Sequence, residues 1–104
     1  MDWNQQENKE LVAALLALRT SDEARRFLRD LMTENEIREF GKRFKVAQML
    51  SIRASYPEIQ RATGLSQTTI ARVSKWLQEG EDGYRLVIDR LHHLTPISRE
   101  RGLR

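Results

Sequence analysis

The chain contains no cysteine, which excludes disulfide bonds and metal sites built on thiolates. It also lacks any apolar run near the roughly 20 residues needed to span a bilayer. The first ten residues, MDWNQQENKE, are polar and acidic and do not have the basic-then-apolar order of a secretory signal peptide. These absences predict a cytoplasmic protein with no membrane partner.

Glycine and proline are scarce, at five and two in 104 residues, and they fall between segments with helical periodicity. The pattern predicts an all-α fold of about six helices in one domain over residues 1–94, followed by a flexible basic tail, 95–104. The first helix is expected over residues 5–19. Ser21 or Asp22 could cap the second, which ends at Leu31, and a capping box at Thr33–Glu36 opens the third, which runs to about Ile52. The last three helices are expected at about 56–63, 67–78 and 83–94.

Apolar residues at helical spacing predict the buried faces of these helices. The predicted stripes are Leu11, Leu15 and Leu18 in the first helix, Ile37, Phe40, Phe44, Ala47 and Leu50 in the third, and Tyr84, Val87, Ile88, Leu91 and Leu94 in the last.

The segment YPEIQRATGLSQTTIARVSKW has the pattern of a helix-turn-helix unit, at about residues 56–78. Gly64 can adopt the left-handed conformation that a steep turn between two helices requires. The apolar residues expected to fill the corner are Ile59, Leu65, Ile70 and Val73. The outward face of the second helix begins with small polar side chains, which would let its backbone lie deep in a major groove of DNA.

The outward side chains suit both base edges and phosphates of double-stranded DNA. Gln67 could pair with adenine, Thr68 could hydrogen-bond a base edge, and the Ala71 methyl could contact a thymine methyl. Basic side chains and the capped N-terminus of the fourth helix could bind phosphates. The predicted DNA-binding residues are Gln67, Thr68, Ala71, Arg72, Lys75, Pro57, Gln60, Arg61, Lys42 and Lys45.

The formal net charge of only +3 is weak evidence for a DNA partner, but the distribution of charge along the chain supports one. Residues 35–54 carry five basic and two acidic side chains, whereas the first ten residues are net negative. Positive charge therefore gathers around the predicted helix-turn-helix.

The motifs of common enzymes are missing. The sequence has no G-x-S-x-G, no phosphate-binding glycine loop and no spaced cluster of histidine and carboxylates. His92 and His93 are adjacent, so they would point to different sides of a helix and make a poor metal pair. We therefore expect neither an enzyme nor a metal site. A helical protein-interaction module remains an alternative, although such a module would expose Leu, Phe or Met where residues 67–75 are polar and cationic.

From about Phe27 to His93 the sequence resembles the Trp repressor family, particularly its YerC/YecD-type branch. The resemblance depends on LMTENEIREFGKRFKVAQML, YPEIQRATGLSQTTIARVSKWL and GEDGYRLVIDRL. It implies an intertwined homodimer in which the N-terminal helices wrap around the partner. It also implies a transcriptional regulator, expected to be a repressor, that binds a two-fold symmetric operator with half-sites about 34 Å apart.

The resemblance also implies a pocket for a small effector, which is tryptophan in the Trp repressor itself. The candidate pocket residues are Thr33, Arg43, Thr69, Arg72, Val73 and Trp76. The first four match the tryptophan binder, but Val73 replaces a glycine and Trp76 replaces a small serine. Both replacements fill space, so we expect that free tryptophan is not the ligand and that the protein has no cofactor. Trp76 itself is expected in the core or at the dimer interface.

Overall fold

The computed structural model describes residues 1–94, and within them it contains six α-helices and no strand. The helices are α1 (Gln6–Ala17), α2 (Ser21–Leu31), α3 (Glu34–Ser51), α4 (Tyr56–Thr63), α5 (Gln67–Glu79) and α6 (Gly83–Leu94). This confirms the predicted all-α fold of six helices. The tail at 95–104 lies outside the described residues, and the single domain over 1–94 stays a prediction.

Short polar side chains cap four of the helices, α2, α3, α4 and α5. Thr33 and Glu36 form the expected capping box of α3, in which the Glu36 N–H donates to Thr33 Oγ1 at 3.1 Å and the Thr33 N–H donates to Glu36 Oε1 at 2.9 Å. The predicted N-cap of α2 was wrong, because the observed cap lies one residue before Ser21 and two before Asp22. Thr20, and neither Ser21 nor Asp22, is the N-cap, because its hydroxyl accepts the Glu23 N–H at 3.1 Å.

Contacts divide the chain into two compact units, the first being Met1–Ile37 and the second beginning at Arg38. In the first unit neither α1 nor α2 has a buried residue. The predicted stripe of α1 is largely open, since Leu11 and Leu15 are exposed and the neighbouring Leu16 is 81% exposed. The unit is therefore helical without an apolar core of its own.

The second unit has a continuous apolar core to which α3, α4, α5 and α6 all contribute. Its buried members are Val46, Ala47, Ile59, Leu65, Ile70, Val73 and Ile88. Ile59 and Ile70 are fully buried, and the burial of each contributes about 1.5–3 kcal/mol. Phe44 and Tyr84 stack with ring centroids 6.4 Å apart, joining α3 to α6. This core fixes the position of α5.

Some predicted core positions are open to solvent within this chain. Phe40, Val87 and Leu91 are exposed, whereas Ala47 and Ile88 on the same two helices are buried. Periodicity therefore located the apolar faces of α3 and α6, and the chain's own core covers only part of each. Within residues 1–94, none of the helices combines the length and the hydropathy of a membrane-spanning segment.

Candidate nucleic-acid interface

A glycine in the left-handed region makes the corner between α4 and α5. Gly64 has φ 73°, and its N–H donates to the Gln60 carbonyl at 2.8 Å, which ends α4. The buried Thr63 hydroxyl donates to the Ile59 carbonyl at 2.8 Å and accepts the Leu65 N–H at 3.2 Å. These bonds satisfy the polar groups of a turn that would otherwise leave them buried and unpaired. The predicted helix-turn-helix corner is confirmed.

The N-terminus of α5 remains open beyond its cap. Ser66 Oγ accepts the Thr69 N–H at 3.2 Å. The first turn of α5 contains no acidic residue, and the structure gives the Gln67 and Thr68 N–H groups no acceptor among the described residues. The helix dipole places partial positive charge at these groups. An anion can therefore approach this end of α5.

The N-terminus of α4 is filled by its own capping box. The Glu58 N–H donates to Ser55 Oγ at 3.3 Å, and the Ser55 N–H donates to Glu58 Oε1 at 2.9 Å. The backbone and side-chain hydrogen bonds from Ser55, together with the charge of Arg61, lower the pKa of Glu58. Because Pro57 has no N–H, only the Tyr56 N–H of this turn remains for a phosphate. The carboxylate makes α4 a poorer anion site than the sequence suggests.

One side of α5 is buried and the opposite side is free. Ile70, Val73 and Leu77 face the interior. The remaining predicted contacts on α5 are all exposed, and they are Gln67, Thr68, Ala71, Arg72 and Lys75. The side chain of Arg85 on α6 donates from Nε to the Leu77 carbonyl at 3.0 Å, so α6 holds the far end of α5 in place.

The basic side chains around α5 differ from those of α2 in their partners. Arg25 and Arg26 on α2 both pair with Asp22, at 3.1 and 3.4 Å. In contrast, Arg72 and Lys75 have no ion pair within the described part of the chain, and neither do Lys42 and Lys45 on α3. All four side chains are exposed, as are Pro57, Gln60 and Arg61 on α4. Among the described residues, Arg72, Lys75 and Arg61 therefore place unpaired positive charge on the helix-turn-helix itself, whereas Lys45 lies beside α6, where it lines a cavity with Ile88 and His92.

The candidate effector residues lie in different environments. Thr33 belongs to the first unit, where it caps α3. Arg43 is half-buried, with its guanidinium 5.6 Å from the centre of the Phe40 ring and its Nε 3.8 Å from a Glu39 carboxylate oxygen. Thr69 is also half-buried, and its hydroxyl lies 3.1 Å from that of Ser66. Thr33 and Thr69 therefore have partners inside the chain, whereas the buried Arg43 Nε has no hydrogen-bond partner among the described residues.

The two residues expected to fill the effector pocket differ sharply in burial. Val73 is 3% exposed and belongs to the core, so its side chain fills space in the folded chain. Trp76 is 56% exposed and does not enter the core of its own chain. The prediction that Trp76 lies in the core of its own chain is therefore wrong. Its placement at a dimer interface stays a prediction.

The reasoning from sequence did not single out Arg53, in the turn between α3 and α4. Its φ is 65°, one of two positive values at non-glycine residues in the described chain. Sequence gave no signal for this geometry, because glycine or asparagine is the usual residue at such a helix end.

Taken together, the core and the exposed surface define an all-α protein of the helix-turn-helix class. The sequence pattern of the family described as Trp repressor protein matches residues 6–92. The chain therefore belongs to the Trp repressor family.

Its relatives come from several bacteria. The chain is 39% identical over 82 residues to the uncharacterized protein YerC of Bacillus subtilis (strain 168), which covers 79% of each sequence. It resembles the crystal structure of a TrpR-like protein from Eubacterium eligens with a TM-score of 0.83 and 41% identity, over 89% of this chain and 96% of that one. A candidate Trp repressor from Staphylococcus aureus is similar at a TM-score of 0.76 and 38% identity, over 80% and 83% of the two chains.

Proposed function

We propose that the protein is a sequence-specific DNA-binding transcriptional regulator, acting as a repressor in the cytoplasm, and that it is not an enzyme. One observation carries the proposal: the corner at Gly64 presents a helix whose outward side chains are short, polar or cationic, and exposed. Such a helix fits a major groove, since Gln67 and Thr68 can reach base edges while Lys75 contacts phosphate. Family membership supports the same function.

The operator is expected to be two-fold symmetric because the regulator is proposed to be a homodimer. The exposed apolar side chains of α1, including Leu11 and Leu15, support this assembly. A cavity of about 340 Å³ between α3 and α6 offers a second, partly apolar surface, whose lining combines Met49, Ile88 and Leu91 with polar residues that include Lys45 and His92. A monomer rarely leaves so many apolar side chains open, and a second copy would cover them.

We also propose that the protein does not respond to free tryptophan and uses no cofactor. Val73 occupies core volume, and the large Trp76 replaces a small residue of the tryptophan binder. Isothermal titration of the protein with L-tryptophan should therefore show no heat of binding. Micromolar affinity for tryptophan would contradict this proposal without affecting DNA binding.

The function is tested by selecting bound sequences from random duplex DNA. The wild type should enrich a palindrome. Gln67→Ala should relax the sequence preference, with Gln78→Ala as a control at the far end of the same helix. Lys75→Ala should weaken binding to all sequences alike and reduce the salt slope by about one unit per protomer, whereas Lys9→Ala on α1 should not.

The selection also distinguishes the alternative function. Binding without any enriched palindrome would contradict sequence-specific regulation. No DNA binding at physiological salt would favour a helical protein-interaction module. The surface of residues 67–75 argues against that module, because its exposed side chains include no Leu, Phe or Met.

A further inference from the structure

The turn between α3 and α4 holds an arginine in a backbone conformation that favours glycine. Arg53 has φ 65°, and it is the second residue after the end of α3, where a left-handed residue reverses the chain. The Arg53 N–H donates to the Leu50 carbonyl at 3.0 Å, and the Ala54 N–H donates to the Met49 carbonyl at 3.0 Å. An L-residue with a Cβ is less stable than glycine in this conformation.

The backbone on both sides of Arg53 is fixed by packing. Met49, Leu50 and Ala54 are partly buried against the core that also contains Ile59 on α4. Two residues after Arg53, Ser55 caps α4. The base of the Arg53 side chain is therefore held in a rigid turn at the entrance to the helix-turn-helix.

The Arg53 side chain has no structural partner that would explain its presence. It is exposed, and no hydrogen bond or ion pair is formed by it within residues 1–94. Asp82, the other non-glycine residue with positive φ, differs because its carboxylate lies 3.9 Å from Arg85 Nε. The left-handed turn is stabilised by the two backbone hydrogen bonds that end α3, but glycine would form the same bonds at lower cost, and the arginine side chain adds no contact of its own within the described residues.

We propose that Arg53 is a phosphate-positioning residue of the helix-turn-helix, which contacts the DNA backbone beside α4. This inference rests on the proposed DNA-binding function. A guanidinium can bind two phosphate oxygens at once, and a rigid base reduces the entropy lost when it does so. Because the first turn of α4 already holds the Glu58 carboxylate, a cation just before this helix supplies the attraction that the helix end lacks.

The test is Arg53→Gly, measured for stability and for DNA binding at several salt concentrations. The midpoint of urea unfolding should rise, because glycine accepts the left-handed conformation. The slope of log affinity against log salt should fall by about 0.9 per protomer. At 0.1 M salt this corresponds to about an eightfold loss per contact, equal for the selected site and for random DNA.

Two variants separate charge from conformation. Arg53→Lys should keep most of the salt slope, because it keeps the charge. Asp82→Gly also replaces a left-handed L-residue, but it removes the carboxylate beside Arg85 as well, so its urea midpoint should rise less than that of Arg53→Gly, and its salt slope should not change. If the salt slope falls in Arg53→Gly but not in Asp82→Gly, while the urea midpoint of Arg53→Gly rises, the phosphate contact is assigned to the Arg53 guanidinium.

The outcomes for Arg53 and for the proposed function are distinguishable. If the wild type binds its selected site and Arg53→Gly has the same salt slope, Arg53 is an ordinary surface cation and this inference is overturned alone. If the wild type binds no DNA, both proposals fall. A loss confined to the selected site would show base contact, which also overturns the assigned role.

Discussion

Replacing Gly64 by alanine isolates the energetic contribution of the corner between α4 and α5. An added Cβ at Gly64 would meet no atom within 4 Å, so the substitution introduces no steric overlap. What remains is the backbone, at φ 73°, where alanine is less stable than glycine by about 1–2 kcal/mol. For a domain of this size, each kcal/mol lowers Tm by roughly 4–8 °C.

Urea unfolding followed by circular dichroism measures this loss, with all variants at one protein concentration because assembly would contribute to stability. Gly64→Asn is the matched variant, since asparagine tolerates the left-handed region, and it should lose less than Gly64→Ala. An unchanged midpoint in Gly64→Ala would refute the left-handed corner. If both variants lowered the free energy of unfolding by more than about 3 kcal/mol, a Cβ at this position would have to overlap a neighbouring atom, which the structure does not show.

Three further changes test neighbouring contacts. Thr63→Val should lower the free energy of unfolding by about 1–3 kcal/mol, because the Leu65 N–H loses its buried acceptor, and Thr63→Ser, measured in the same urea titration, should lose less. Glu58 has a lowered pKa when folded, so its ionised form stabilises the protein above the ordinary pKa of the group, and this contribution disappears as pH falls through the folded-state pKa. The urea midpoint of Glu58→Gln should therefore lie below that of the wild type at pH 7 and converge with it in acid, and a difference independent of pH would contradict this reasoning. Gly80→Ala should reduce Tm in calorimetry, because its Cβ would overlap the carbonyl oxygen one turn earlier in α5, and an unchanged Tm would show that the helix end yields freely.

The boundaries of the helices could be predicted because local chemistry determines them. The capping boxes at Thr33 and Ser55 and the glycine at 64 act through atoms only a few residues away. The error at α2 has the same local origin, since Thr20, Ser21 and Asp22 are all competent caps in sequence. Only the backbone conformation before the helix selects Thr20, whose ψ of 162° is extended.

The burial of individual side chains was less predictable. Periodicity assigns Leu11, Leu15 and Leu91 to apolar faces, but it does not identify the surface that covers them. In this chain they remain exposed. Val73 shows the opposite case. The residues that cover it belong to the same helix-turn-helix corner, so its burial could be predicted from the spacing of apolar residues alone.

The N-termini of α4 and α5 differ in the kind of contact that each could make with DNA. At α5 the Gln67 and Thr68 N–H groups are open and the first turn contains no carboxylate, so backbone and side chains can act together at this end. At α4 the Glu58 carboxylate already interacts with the positive end of the dipole. Contacts from α4 must then come from side chains such as Arg61, whose charge reaches beyond the cap. The same asymmetry explains why a cation placed before α4 would contribute more than one placed before α5, where the helix end itself attracts phosphate.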